Sequence, residues 1–193
     1  MKDKLNSADL QDACVIRGAG VDAKANADGI YHVECFGADG VLKWRDVIEN
    51  TVMTVGKNLA LDTYLAGSSY TVVGPYMGLI SSTSYSAIAA ADTMSSHAGW
   101  LEAGTANAPT YTSPRKTCAW SAASSGSKAL SSALSFAITG TGTIKGAFIV
   151  FGTGALSTID NTAGTLYSAG LFSGGDKTVA SADTVNVSYT ASL

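Results

Sequence analysis

Charged side chains are scarce in this chain: Lys, Arg, Asp and Glu make up 14% of its 193 residues, against about a quarter in an ordinary globular domain. The 12 basic and 15 acidic residues leave a net charge of −3, and no run of Lys or Arg forms a basic stripe. Nucleic-acid binding needs such a stripe to displace phosphate counterions, so that class is disfavoured. No apolar stretch approaches the ~20 residues of a membrane-spanning helix. Residues 1–10 are polar, with no apolar core after Lys4, and so do not read as a secretory signal; synthesis in the cytoplasm is the expectation. Cysteine is limited to Cys14, Cys35 and Cys118. An odd count at wide spacing argues against a complete disulfide framework, and the closely paired ligands of a zinc site are missing. Small, free, buried hydrophobes are their expected role.

What is present is apolar and small: 46% hydrophobic residues and 21 glycines, with only 3 prolines. Low net charge with this much apolar surface argues against disorder. A single domain of this length buries about 70% of the surface its unfolded chain exposes, and needs no staples. Residues 1–28 read as an N-terminal arm, and residues 29–193 as a single β-rich domain. In the arm, Ser7 can cap a short helical turn through Asp12, with Asp9 at its positive end. Gly18, Gly20 and the Asn26–Gly29 stretch are loop-like.

The domain opens with residues 30–36, rich in β-formers, a Gly-containing turn at 37–40, and a second run at 41–47. This predicts a β-hairpin, with Leu42, Trp44 and Asp46 on one face and Val41, Lys43 and Arg45 on the other. Trp44 is the expected anchor of the buried side. Leu59, Ala60, Thr63 and Tyr64 recur at helical spacing and predict a helix over 58–65, stopped by Gly67. Residues 70–73 and 76–80 read as one strand bent at Gly74-Pro75, an edge or a kink because proline removes a ladder donor. Helical propensity at 88–91 and the Asp92-Thr93-Met94 cap suggest a second short helix. A strand is expected at 117–120. Strands follow over 129–139, 143–151, 165–172 and 184–190. Phe148 to Phe151 is apolar on both faces, the mark of a central strand. The fold class is mainly all-β, an antiparallel β-sandwich or jelly-roll-like domain with one or two short helices.

Little in the sequence speaks for chemistry. His32 sits mid-strand and reads as a hydrogen-bonded or surface residue. His97 has Asp92, Ser95 and Ser96 near it, but a hydrolytic triad is defined in space and not by local clustering, and no G-x-S-x-G elbow is present. Packing or capping beside Trp100 is its expected role. Glu34, Glu49 and Glu102 are isolated, whereas glycoside hydrolysis needs a carboxylate pair. Asp39 and Asp176 read as turn residues. Gly18-Ala19-Gly20 and Gly140-Thr141-Gly142 lack the third glycine and the strand-to-helix setting of a dinucleotide fingerprint. Asn186-Val187-Ser188 matches a glycosylation sequon but lies in a predicted strand. Trp44 and Trp120 read as core, while Tyr70, Tyr76 and Tyr85 near loops could face a partner. No catalytic, cofactor-binding or metal-ligating residue is assigned, no cofactor is expected, and an enzyme is not expected.

Four separated stretches carry a likeness. They are Trp44 with Asn50 and Val52, continuing into Gly56-Lys57-Asn58, Leu61-Asp62 and Leu65; the run from Ala91 to Trp100; Gly142-Thr143-Ile144 with Gly146-Ala147-Phe148; and Asp183-Thr184-Val185 with Val187 and Tyr189-Thr190. In this order they resemble a group of tailed-bacteriophage virion structural proteins that look like head decoration (cement) proteins. The likeness spans about residues 30–193 and leaves the arm uncovered. Where this chain has Ala182-Asp183, related sequences tend to carry a Gly-Asp turn. The resemblance implies a protein made in the host cytoplasm that ends on the capsid exterior of the virion. There it would bind the major capsid protein as a homotrimer and stabilise contacts between its subunits, without nucleic acid or membrane as partner. A tail or fibre component that binds a receptor is the alternative. Few long charged side chains suit such a role, because they lose entropy at an interface.

Overall fold

Strict alternation of apolar and polar side chains writes the first strand. In the computed structural model, which describes residues 27–65 and 73–192, β1 (Asp28–Phe36) buries Gly29, Tyr31, Val33 and Cys35 and exposes Ile30, His32 and Glu34. The turn at 37–40 closes by Gly37 N–H donating to the Val41 carbonyl and Val41 N–H donating to Asp39 Oδ1. Gly40 supplies the left-handed residue at φ 75°. The chain returns as β2 (Leu42–Val52), then forms α1 (Thr54–Tyr64) and β3 (Tyr76–Ser81). Short pieces β4 (Lys116–Thr117), β5 (Ser127–Ala129) and β6 (Leu134–Ala137) precede β7 (Gly142–Phe151), β8 (Thr165–Phe172), β9 (Lys177–Val179) and β10 (Thr184–Ser192).

These strands make one antiparallel ten-stranded sheet in the order β4-β3-β7-β8-β2-β1-β10-β5, with β6 also on β10 and β9 on β7. The sheet curls until its ends meet. Ser131 N–H donates to the Ala119 carbonyl, Ser121 N–H to Ala129, and Thr112 N–H to Ala137. Backbone groups that an open edge would leave unpaired are thereby satisfied. The result is an all-β, sandwich-like fold. Inside the curl pack Tyr31, Val33, Ile48, Leu79, Phe136, Ile149, Val187 and Tyr189. The outer face of β3, β7 and β8 is buried as well. Ile80, Phe148, Val150 and Leu166 lie under Met53, Met94, Trp100 and Ala155, contributed by the α1 entrance and by loops 82–101 and 152–163. The two-sided burial expected from Phe148 to Phe151 is therefore what β7 has. Gly78 makes this second layer fit, since a Cβ there would stand 2.4 Å from the Phe148 ring.

Several local expectations are corrected. The helix starts at Thr54, four residues before the predicted start, because Met53 N–H donates to the Tyr167 carbonyl and fixes the entry. Its stripe also differs, since Leu61 and Leu65 are exposed and Gly56 is buried against β8. No second helix forms among the described residues. Ala90 and Gly99 carbonyls accept from Thr54 and from Ser86 and Ala87, so long-range partners replace helical ones. β3 begins only after Pro75, and because it pairs with both β4 and β7 it is not an edge. The strand expected over 129–139 is broken into β5 and β6, and that over 117–120 is reduced to β4 and a single bridge from Trp120 to Leu130. β2 runs five residues beyond its predicted end, to Val52. Tyr70, Cys14, Gly67 and the capped turn at Ser7 to Asp12 lie outside the described residues.

Candidate functional surface

The curl leaves half of its outside bare. Three rows of side chains cross it in register: Thr190, Ile30, Glu49 and Leu171; then Ser188, His32 and Val47; then Asn186, Glu34 and Arg45. Each row follows from the two-residue period of its strands, which turns the chain neighbours of the buried Tyr31, Val33, Val187 and Tyr189 outward. Ile30 and Leu171 are 42% and 37% exposed, large for apolar side chains on a sheet face. A shallow open groove of about 550 Å³ runs over the two polar rows, bordered by His32, Glu34, Arg45, Asn186 and Ser188. Asn186 Oδ1, the acceptor end of the sequon asparagine, takes a hydrogen bond from Ser135 Oγ at 2.5 Å.

The residues weighed for chemistry are spread apart. His97 stacks on Trp100 with ring centroids 4.1 Å apart, and its Nδ1 lies 3.1 Å from the Trp100 carbonyl. Asp92 accepts from Trp100 Nε1 at 3.0 Å and from Ala89 N–H, so its carboxylate serves the indole instead of the imidazole. Ser95 Oγ pairs with Thr93. His97 is thus packed beside Trp100, as expected. Glu34 and Glu49 point to solvent from β1 and β2, whereas Glu102 is buried. Asp39 holds its turn, and Asp176 takes both oxygens to Lys145 Nζ at 2.7 and 2.9 Å. Trp44 is half-buried, edge-on to Phe172, and donates to the Thr178 carbonyl. Trp120 is edge-on to Tyr189. Tyr76 and Tyr85 pack against the second layer, with Lys145 Nζ 4.6 Å from the Tyr85 ring centroid. Among the described residues, no three His, Cys, Asp or Glu groups come together to hold a metal ion.

Ionised groups are mostly spent on the fold. Arg115, which the sequence did not single out, is fully buried and forks onto Glu102: Nε donates to Oε1 at 2.8 Å and a terminal nitrogen to Oε2 at 2.6 Å. No local pattern announces this pair, because the partners meet across an irregular loop. Burial raises the Glu102 carboxyl above its ordinary range, against the opposing pull of Arg115 and the Asp160 amide. At Asp46, burial alone would raise the carboxyl, but Lys177, the Val47 amide, Ser173 and the Gly174 amide together bring it down to about 2. Asp183 is likewise lowered: the Ala180 amide and Lys43 outweigh burial. Burial pushes the thiols of Cys35 and Cys118 up to about 11 and about 12, which keeps them protonated and inert. Both are free and buried, the role expected for them.

The fold and this surface define a curled antiparallel β domain with one covered and one bare outer half. No family model, curated protein or solved structure matches the chain. No helix among the described residues is long and apolar enough to cross a membrane.

Proposed function

We propose that the chain is a non-catalytic decoration (cement) protein of a tailed-phage head. It lays the bare face of β10, β1 and β2 on major capsid protein subunits, as a homotrimer, and stabilises the contacts between them. The observation that supports this reading best is the face itself: side chains of three strands in register, short polar Thr190, Ser188 and Asn186 beside charged Glu34, Glu49 and Arg45, with exposed Ile30 and Leu171 in the same row. Burying Ile30, Val47 and Leu171 removes apolar area from water, and Glu34, Glu49 and Arg45 are the long charged side chains that such a contact would have to order or pair. The resemblance of the four sequence stretches to virion structural proteins supplies the partner. A second reading, a receptor-binding tail or fibre component, draws on the polar groove beside His32 and Arg45.

The test is add-back of purified chain to expanded heads that lack it, followed by cryo-electron microscopy and heat challenge. Trimeric density over capsid subunit junctions, with restored heat resistance, is the expected result. Ile30→Asp combined with Leu171→Asp should weaken attachment at least tenfold, about 1.4 kcal/mol, and leave the melting temperature of the free protein unchanged. Density on the tail would move the assignment to the second reading, and absence from the particle would overturn both.

A further inference from the structure

Most ionised groups among the described residues are held by the fold. Lys43 is paired with Asp183, Arg115 with Glu102, Lys145 with Asp176 and Lys177 with Asp46, while Lys116 and Lys128 donate to the Thr112 and Ser121 carbonyls. The bare face is the exception. Asp28, Glu34, Arg45 and Glu49 point outward from β1 and β2, and no hydrogen bond or ion pair among the described residues holds any of them. Off this face only Lys57 and Asp62, both on α1, are in the same position among the described residues. Glu34 and Arg45 are register partners across β1 and β2, yet they do not close on each other. Asn186 stands on the other side of Glu34. Ser135 Oγ takes its Oδ1, which leaves the Asn186 NH2 group for a partner. The row therefore runs amide donor, carboxylate, guanidinium at a strand spacing of ~4.8 Å. Asp46 also borders the groove, but Lys177, Ser173 and the Val47 and Gly174 amides occupy its oxygens.

We propose that the patch of the capsid subunit covering this face is net basic, with one carboxylate seated on Arg45 and cationic side chains against Glu34 and Glu49. This chemistry rests on the capsid reading and gives its partner a composition. A charge taken out of water without a counter-charge costs more than the surrounding apolar area returns. A merely apolar partner would strand Glu34 and Arg45, and the contact would not hold. Asp28, Glu34 and Glu49 against one guanidinium leave the face net anionic, with His32 adding positive charge only when protonated. The matching patch therefore carries the opposite excess. Arg45 fixes the geometry of the exception, because its planar fork takes both oxygens of one carboxylate. The same charges set the register. A slip by one row along the strands puts His32 and Val47 where Glu34 and Arg45 were, and that pair offers no opposite charges.

The experiment adds the full chain back to heads that lack it. Arg45→Glu and Glu34→Lys each reverse one charge of the row, and Lys57→Glu makes the same kind of change at an exposed position of α1, off the bare face. All three side chains are exposed, so melts of the free proteins, measured first, should match wild type. The expected result is attachment weakened roughly thirtyfold by Arg45→Glu and by Glu34→Lys, with Lys57→Glu at wild-type affinity. In a second arm, Arg45→Lys keeps the charge and supplies an amine. It is bound to heads and treated with a carbodiimide, which joins carboxylates to amines already in contact. Mass spectrometry should find residue 45 joined to an Asp or Glu of the capsid protein. Suppose the wild-type chain attaches. Equal attachment of Arg45→Glu, an equal loss in Lys57→Glu, or a residue 45 joined only to Glu34 of its own chain or to nothing would each overturn this inference and leave the capsid reading standing. Failure of the wild-type chain to attach would overturn both.

Discussion

Replacing Arg115 by methionine is the sharpest test of how the second layer is held. The guanidinium has no solvent exposure, bonds both Glu102 oxygens, and donates to the Leu156 and Asn161 carbonyls at 3.1 and 2.7 Å. Its carbon lies 5.4 Å from the Phe148 ring centroid. It thereby ties loop 156–161 to the strand pair β3 and β7. Methionine fills most of the volume but leaves a buried carboxylate with only the Asp160 amide, at 2.8 Å. Removing one partner of a buried pair costs about 3–5 kcal/mol. With ~2.1 cal/mol/K of unfolding entropy per residue, a domain of this size carries ~0.4 kcal/mol/K, so a loss of ~4 kcal/mol lowers Tm by ~10 °C. The pH dependence carries a sign. In the variant, burial holds the Glu102 carboxyl above the 4.5 of its unfolded state. Protonation then favours folding, and this contribution is complete below 4.5 and is lost as pH rises through the folded value. Urea melts should therefore show a smaller deficit at pH 4 than at pH 7. Adding Glu102→Leu, which removes the stranded charge, should return ~2 kcal/mol at pH 7. An Arg115→Met cost under ~1 kcal/mol, or a deficit no smaller at pH 4, would refute the reasoning.

Gly146→Ala should prevent folding or cost ~3 kcal/mol or more, because its Cβ would stand 1.8 Å from the Gly170 carbonyl oxygen across the β7–β8 ladder, far inside van der Waals contact with backbone; soluble yield and thermal melts read it. Ala182 occupies the left-handed region at φ 71°, so Ala182→Gly should raise stability by ~1 kcal/mol, or ~3 °C in Tm. Asp46 is held at about 2 in the fold against 3.8 unfolded, so its contribution is present above 3.8 and is lost as pH falls through the folded value. A shift of that size is worth ~2.5 kcal/mol in a dry site and ~1 kcal/mol here, where the bonds to Ser173 and Gly174 lie at the protein surface. Asp46→Asn should therefore flatten the stability loss between pH 5 and pH 2 by ~1 kcal/mol in denaturant titrations.

Strands were legible wherever local pattern and final burial coincide. The alternation of Tyr31, Val33 and Cys35, and of Val185, Val187 and Tyr189, survives intact in β1 and β10. Residues 88–98 were not legible, because their helical propensity is a fraction of a kilocalorie per residue and bonds from Thr54, Ser86 and Ala87 outbid it. Polar outward positions such as His32, Glu34 and Arg45 could be placed on one face from the sequence. That this face stays bare while the outside of β3, β7 and β8 is covered depends on where Met53, Met94 and Trp100 fold back, and no periodicity encodes that. Closure of the curl by Ala119, Ala129 and Ala137 carbonyls consumes backbone groups at the sheet ends. Strand addition, which needs an open edge, is therefore disfavoured there. Under the proposed function recognition would fall to the side chains of the bare face, and substitutions at Ile30, Val47 or Leu171 should then change partner affinity far more than substitutions along β4 or β5.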